Sequence, residues 1–559
     1  MEKEPGHTGL PTSRIPPEHT PHPMSLLRNF ATVGGATLVS RVLGFARDVF
    51  MAALLGTGPV AEAFFVALRL PNLFRRIFAE GAFNAAFVPL FSRALSEDGE
   101  DVARRFAEEV LAALLVALMV FTILAELAAP LFVYVLAPGF SSDPAKFDLT
   151  TLLTRITFPY LLCMSLTAMI GGMLNALGRF ALAAFASSLL NVGLIGAMIL
   201  IVVTHAEGTD AAGAYLSWGV FASGFLQLAA LAIGLRRTRF PLRLRRPRWT
   251  PGVKRLLVLG VPGLIAGSIT QINIVVGTIF ASLQDNAVGW LGYADRLYQL
   301  PLGVVGVAIG VVLLPDLTRR LRSETPQTAD HAMNRAIEFA MALSLPAAVA
   351  LMVVPVPIIA VLFERGLFDA ADTRATAAAV AAYAAGLPSF VLIKVLQPGF
   401  FAREDTRTPM VHAAVSMIVN VGGAALLFPL LGHVGIAVAS SLAGGVNAVL
   451  LAAALARRGQ FRADPTLTRR LPMLLVASIV MGAALIGAER LLGRWLDGGN
   501  AIAGFAALAA LVAAGAGAFA LACVLTGAVD LRQFAGAMRR PRRGGAVTVG
   551  RLEPGADGP

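Results

Sequence analysis

Ser40-Arg41-Val42-Leu43-Gly44-Phe45-Ala46-Arg47-Asp48 stands inside an apolar run that extends over about residues 30–55. The next run carries Leu70-Pro71-Asn72-Leu73-Phe74-Arg75-Arg76-Ile77-Phe78-Ala79-Glu80-Gly81. Each run is long enough to cross a bilayer as a helix, so each places charge where hydrocarbon is expected. An Arg at the centre of a membrane helix costs about 2.5–3.5 kcal/mol on insertion scales. Several in two adjacent helices therefore imply a polar cavity, and an anionic ligand to fill it.

Composition extends that reading to the whole chain. Of 559 residues, 57% are hydrophobic and only 14% charged. Soluble domains carry roughly 25% charged residues, so the expected class is an all-α polytopic membrane protein. The net charge of +12 sits in short loops between apolar runs. There it sets orientation in the bilayer, and nucleic acid is not an expected partner. Cys163 and Cys523 lie in apolar segments and offer neither a disulfide framework nor metal-ligand spacing.

Apolar runs of helix length fall at about 30–55, 60–90, 104–136, 148–176, 180–204 and 212–235. They resume at about 254–282, 287–317, 331–363, 373–401, 408–430 and 434–457, and two more follow at about 468–490 and 500–526. The expected total is about fourteen. One set of connecting loops is basic, with Arg179, residues 236–255, Arg319 to Arg322, Arg403 to Arg407 and Arg457 to Arg470. The alternate set is nearly free of Lys and Arg, with Lys146, Arg365, Arg490 and Arg494 as exceptions. Positive charge stays inside, which puts both termini in the cytoplasm.

Three landmarks recur at one spacing. Pro159 and Pro388, and likewise Asn191-Val192-Gly193 and Asn420-Val421-Gly422, are 229 residues apart; Leu70-Pro71 and Leu300-Pro301 are 230 apart. The offset spans six helices, an even number, so the two repeats run parallel and face each other across a central cavity. The expected organisation is a disordered leader at 1–23, an N-lobe at 24–235, a basic loop at 236–253 and a C-lobe at 254–457. A further helix pair at 458–527 and a basic cytoplasmic tail at 528–559 complete it. Met24, directly before the first helix, is an alternative start.

The charged residues form a constellation. Arg41 and Asp48 are seven apart and share a helix face, with Arg47 about a third of a turn away unless Gly44 permits a break. Glu62, Arg69, Arg76 and Glu80 share one stripe of the second helix, with Arg75 beside it; Asp295-Arg296 stand in the eighth. The planar guanidinium fork stays ionised and donates paired hydrogen bonds to phosphate. Arg41, Arg47, Arg75 and Arg296 are thus candidate ligands of a diphosphate. Asp48, Glu62, Asp295, Arg76 and Glu80 are supporting charges, and Arg69 and Arg76 are also placed to snorkel to the interface. No catalytic or metal-binding residue is expected: the seven His are scattered and no phosphate loop or ligand cluster appears. An enzyme is therefore disfavoured. A drug or cation antiporter would favour acidic cavity residues, and here Arg is in excess.

The first two motifs resemble those of the MurJ (MviN) lipid II flippases, within the multidrug and oligosaccharidyl-lipid exporter superfamily. The resemblance continues through Tyr293-Ala294-Asp295-Arg296-Leu297 and the Thr408-Pro409 turn, and covers roughly residues 24–526. It implies alternating-access transfer of lipid II, the undecaprenyl-diphosphate disaccharide-pentapeptide, from the cytoplasmic to the outer leaflet for cell wall synthesis. It implies that Arg41, Arg47, Arg75 and Arg296 line the cavity, with acidic positions at Asp48 and Glu62. It also implies a lipid-tail groove on the last two helices and residence in the bacterial inner membrane, among membrane lipids and other cell-wall synthesis proteins. No cofactor is expected; coupling is to membrane potential or a monovalent cation, and the seventh helix lacks the carboxylate of some relatives' sodium sites. An exporter of another polyprenyl-diphosphate saccharide is the alternative.

Overall fold

The computed structural model describes residues 23–76, 83–186, 188–238, 240–303, 326–496 and 500–528. Of the sequence expectations, residues 1–22 of the leader, 529–559 of the tail, Glu80, the end of the 287–317 run and the Arg319 to Arg322 loop lie outside the described residues. The first half contains α1 (Pro23–Leu55), α2 (Pro59–Phe74), α3 (Asn84–Arg93), α4 (Glu100–Leu127) and α5 (Ala129–Leu136). It continues with α6 (Pro144–Thr157), α7 (Tyr160–Ala176), α8 (Phe180–Ala186), α9 (Ser188–Thr204) and α10 (Asp210–Arg237). The second half contains α11 (Pro251–Ala281), α12 (residues 287–303), α13 (Pro326–Val353), α14 (Pro355–Phe363) and α15 (Ala370–Phe401). It ends with α16 (Arg407–Leu431), α17 (His433–Arg457), α18 (Pro465–Leu496) and α19 (Ala501–Thr526). Among the described residues there is no strand, and ten helical spans are long and apolar enough to cross a membrane. The ten exclude α1, α2 and α12, the three helices that carry the arginines.

Several of the expected single spans are broken. The run at 104–136 splits at Ala128 into α4 and α5, and the run at 331–363 splits at Val354 into α13 and α14. Each second piece opens with Pro in its first turn, where the missing N–H would be unpaired anyway. These paired breaks fall at corresponding places in the two halves. Prolines elsewhere are absorbed: Pro71 sits inside α2, and Ala67 O, the carbonyl it leaves without a helix donor, accepts from the Thr157 hydroxyl of α6 at 3.2 Å. Pro159 ends a helical segment, whereas Pro388 lies within the continuous α15.

The repeat is visible in packing. In the first half α9 packs on α10 and α1; in the second α16 packs on α17 and α11. The added pair α18–α19 packs against α13 and α14. The two halves share one hydrophobic core, in which Phe64 and Tyr160 of the first meet Tyr293, Phe363 and Phe368 of the second. That shared core lies at the Arg-poor face, beside the 55–59 turn. At the Arg-rich face each half keeps a separate core, one around Phe87 and Phe91, the other around Leu396 and Phe400.

Candidate functional site

α1 runs unbroken through Gly44, so no kink is needed to bring its arginines inward. The Asn191 side chain of α9 lies beside Gly44 and donates to Ser40 O at 3.0 Å. Its amide oxygen accepts from Arg47 Nη1 at 2.9 Å. Arg47 also donates to Asp48 Oδ1 through Nε at 3.0 Å and Nη2 at 2.6 Å. Both residues are buried. From the other lobe, Arg296 Nε on α12 approaches the second oxygen, Asp48 Oδ2, to 3.7 Å. One carboxylate thus sits between two guanidiniums contributed by opposite lobes. Its side chain is 6% exposed, whereas that of Arg296 is 44% exposed.

The other expected ligands make contacts of their own. Arg41 is exposed, with its guanidinium against Gly303 of α12, where any side chain would collide with it. Although Arg41 shares a helix face with Asp48, it is Arg47 that pairs with Asp48, because the long Arg47 side chain folds back onto its chain neighbour. Arg75 follows the end of α2 and donates to Asn72 Oδ1 at 3.3 Å; Arg76 is exposed. The helix widens to a π-type turn at these two residues, a local change frequent at functional sites. Asp295 accepts from Gln299 one turn on and does not act as the carboxylate between the two guanidiniums.

Two placements differ from the sequence expectation. Arg69, expected at the interface, turns inward: it donates to Thr278 of α11 in the other lobe, with Asp295, Arg296 and Tyr383 as electrostatic neighbours. Its position on the Glu62–Arg76 stripe was the available signal. Glu62 sits one turn into α2 and does not orient the cavity arginines. It is fully buried, pairs with Lys146 of α6, and accepts Val288 N–H of α12 at 3.0 Å. Lys146, an exception to the Arg-poor loops, is explained by that carboxylate and by the Phe140 ring, 4.1 Å from its ammonium.

Glu62 belongs to a seal across the Arg-poor face. Thr57 donates to Asp372 Oδ1 at 2.6 Å, and Trp290 Nε1 donates to the same oxygen at 2.9 Å. Tyr293 donates to Gly56 O at 3.1 Å, and Leu367 N to Ala53 O at 2.9 Å. Gly56 and Gly366 both have positive φ, 61° and 60°, and each presses on backbone of the opposite lobe. A Cβ at either would strike a carbonyl, so glycine meets both the conformational and the steric demand. The lobes are therefore joined at this face by hydrogen bonds from both sides.

A family model described as "Lipid II flippase MurJ" matches residues 51–503. The chain is 49% identical over 524 residues to a probable lipid II flippase MurJ of Rhizobium tropici, covering 93% of this chain and 98% of that protein. It is 53% identical over 463 residues to the one of Rhizobium meliloti (strain 1021), covering 83% and 86%. The chain belongs to the MurJ family. A solved MurJ structure described as inward closed superposes with a TM-score of 0.73 at 23% identity, covering 91% of this chain and 99% of that one. A structure described as the inward-facing conformation of a multidrug resistance MATE family transporter of the MOP superfamily gives 0.64 at 17% identity, covering 75% and 94%. At these identities the solved structures establish the fold. The Ser40–Asp48 motif lies just ahead of the matched region, and the structure joins it to that region through Asn191 and Arg296.

Proposed function

We propose that this chain is a flippase that moves lipid II from the cytoplasmic to the outer leaflet of the bacterial inner membrane, with both termini cytoplasmic. The observation that carries the reading is the cross-lobe centre of Arg47, Asp48 and Arg296, in a chain about half identical to proteins named lipid II flippase. A diphosphate entering from the Arg-rich side displaces Asp48 from Arg296, and bidentate pairing to phosphate replaces a single carboxylate. Arg41 and Arg75 take the remaining anionic oxygens. With the arginines neutralised, the lobes close over the headgroup and the Arg-poor seal opens. The polyprenyl tail stays in lipid, along α18 and α19. No bond is made or broken.

Energy comes from membrane potential acting on the charged lobes, at about 2.3 kcal/mol per elementary charge per 100 mV, or from a monovalent cation. α11 has no carboxylate between Arg255 and Gln284 to hold such a cation. Depleting the protein from a host without a second flippase and measuring lipid II on the outer leaflet tests the function. Exposure falls if the reading is right; unchanged exposure refutes it.

A further inference from the structure

The segment joining the lobes, residues 240–250, is extended rather than helical, and it is pinned along one side. Phe240 is buried, packed on Phe91 at 5.7 Å and covered by the Arg104 guanidinium at 5.3 Å. Glu108 of α4 accepts Arg243 N–H at 3.0 Å through one oxygen and pairs with Arg245 through the other. Thr250 caps α11, accepting from Val253 N–H at 3.4 Å. The backbone is therefore held in place at both ends.

The unpinned side has a different composition. Arg246, Arg248, Lys254 and Arg255 are exposed, and among the described residues none has an acidic partner within salt-bridge distance. Interleaved with them, Leu244 is 68% exposed and Trp249 is 74% exposed. Two turns further along α11, Leu257 and Val258 are exposed at the start of the apolar run. Trp249 thus stands just outside a lipid-facing helix, the depth at which indole rings concentrate. Burying Glu108 under the strap consumes the nearest carboxylate and leaves the net positive charge outward.

We propose that this strap is a binding surface for anionic phospholipid headgroups of the cytoplasmic leaflet, with Leu244 and Trp249 inserted beside them. Four exposed cations without an acidic partner need anions, and the exposed Leu244 and Trp249 beside them call for an apolar contact that an aqueous counterion shell does not supply. Phospholipid supplies both chemistries in one molecule. Each basic residue near an anionic surface contributes about 1 kcal/mol, so each neutralisation lowers relative affinity for anionic lipid about fivefold. Because the strap is the covalent link between the lobes, lipid held there fixes the N-terminal end of α11 against α4.

The full-length protein in nanodiscs, with Trp249→Phe as reference, isolates the Trp249 fluorescence. Brominated phosphatidylglycerol is expected to quench that component more than brominated phosphatidylcholine does at equal bromine content. The difference should disappear in Arg246→Gln/Arg248→Gln/Lys254→Gln/Arg255→Gln and persist in Arg246→Lys/Arg248→Lys. If the fourfold variant does not fold, Arg248→Gln alone must lower the preference about fivefold. Equal quenching by the two lipids in the unaltered protein overturns the proposal, as does a preference that survives charge removal.

Discussion

Arg47 Nη1 donates to Asn191 Oδ1 at 2.9 Å, joining α1 to α9 across 144 residues of chain. The second lobe has a counterpart: Asn420 of α16 donates to Asn273 Oδ1 of α11 at 3.2 Å, and Ser440 donates to Asn420. The same Asn-Val-Gly register therefore ties the fifth helix of each repeat to the first. Only the partner differs, an arginine in one lobe and a neutral amide in the other. Charge asymmetry has been placed on a symmetric frame.

Asn191→Ala should therefore impair Arg47 without touching any charge. A buried hydrogen bond to a charged group contributes about 1.5–3 kcal/mol, so headgroup affinity should fall roughly 10–100-fold. Binding of a diphosphate lipid to the purified variant measures this. Asn420→Ala, at the equivalent place in the other lobe, should leave that affinity nearly unchanged.

The Asp48–Arg296 contact separates a structural role from a ligand role. Asp48→Asn leaves two guanidiniums facing each other and should lower thermal stability; Arg296→Gln removes one of them. The double variant should regain stability relative to Asp48→Asn, as expected for a coupled pair. Flipping should not return in the double variant, because the arginine that meets phosphate is gone. Thermal unfolding and complementation read the two effects separately.

How much of this was legible in the sequence follows from what kind of physics each feature uses. Helical class, parallel duplication and the motif arginines depend on hydropathy, spacing and residue type, which are local. The breaks at Ala128 and Val354 were not legible, because a proline in the first turn and one in mid-helix look alike in an apolar run. Helical phase and the family resemblance both put Glu62 with the arginines, but neither gives its height along the helix. Its distance along the axis, at the sealed face beside Lys146, depends on how α6 packs on α2. Arg69 was misplaced for the same reason: Thr278, its acceptor, is 209 residues away in the other lobe.

The Glu62–Lys146 pair should tolerate joint replacement better than single replacement. Removing one partner of a buried ion pair typically costs about 3–5 kcal/mol, because the other charge is left without compensation. Lys146→Met should therefore destabilise strongly, and Glu62→Gln/Lys146→Met much less. The double variant loses the charged acceptor for Val288 N–H, so its Arg-poor face should open more readily. Cysteine accessibility at that face measures the opening.

At the Arg-rich face, Arg458 and Thr408 hydrogen bonds hold the Asp405 carboxyl below its usual range. The folded value is depressed, so this contribution is complete above the ordinary Asp range and is lost as pH falls through the folded value. Asp405→Asn should therefore lower stability at pH 7, and the difference from the unaltered protein should shrink progressively below about pH 4. The carboxylate is 24% exposed and partly screened by solvent, so the effect is small. Thermal melts across pH measure it. A difference that grows on acidification would contradict the assignment.

The seal between Thr57 and Asp372 gives a direct handle on alternating access. Their side chains meet at 2.6 Å from opposite lobes, so cysteines at these two positions can be tested for oxidative cross-linking across the seal. Cys163 and Cys523 are both buried and can be replaced by Ser or Ala to leave the new pair alone. Oxidised Thr57→Cys/Asp372→Cys protein should bind the diphosphate lipid from the Arg-rich side yet fail to transfer it, and reductant should restore transfer. Gly56→Ala should act in the opposite sense. It sets a methyl against Leu367 O in a backbone conformation that disfavours alanine, so the face should seal poorly. If the oxidised pair flips lipid at the unaltered rate, this face does not open during transport.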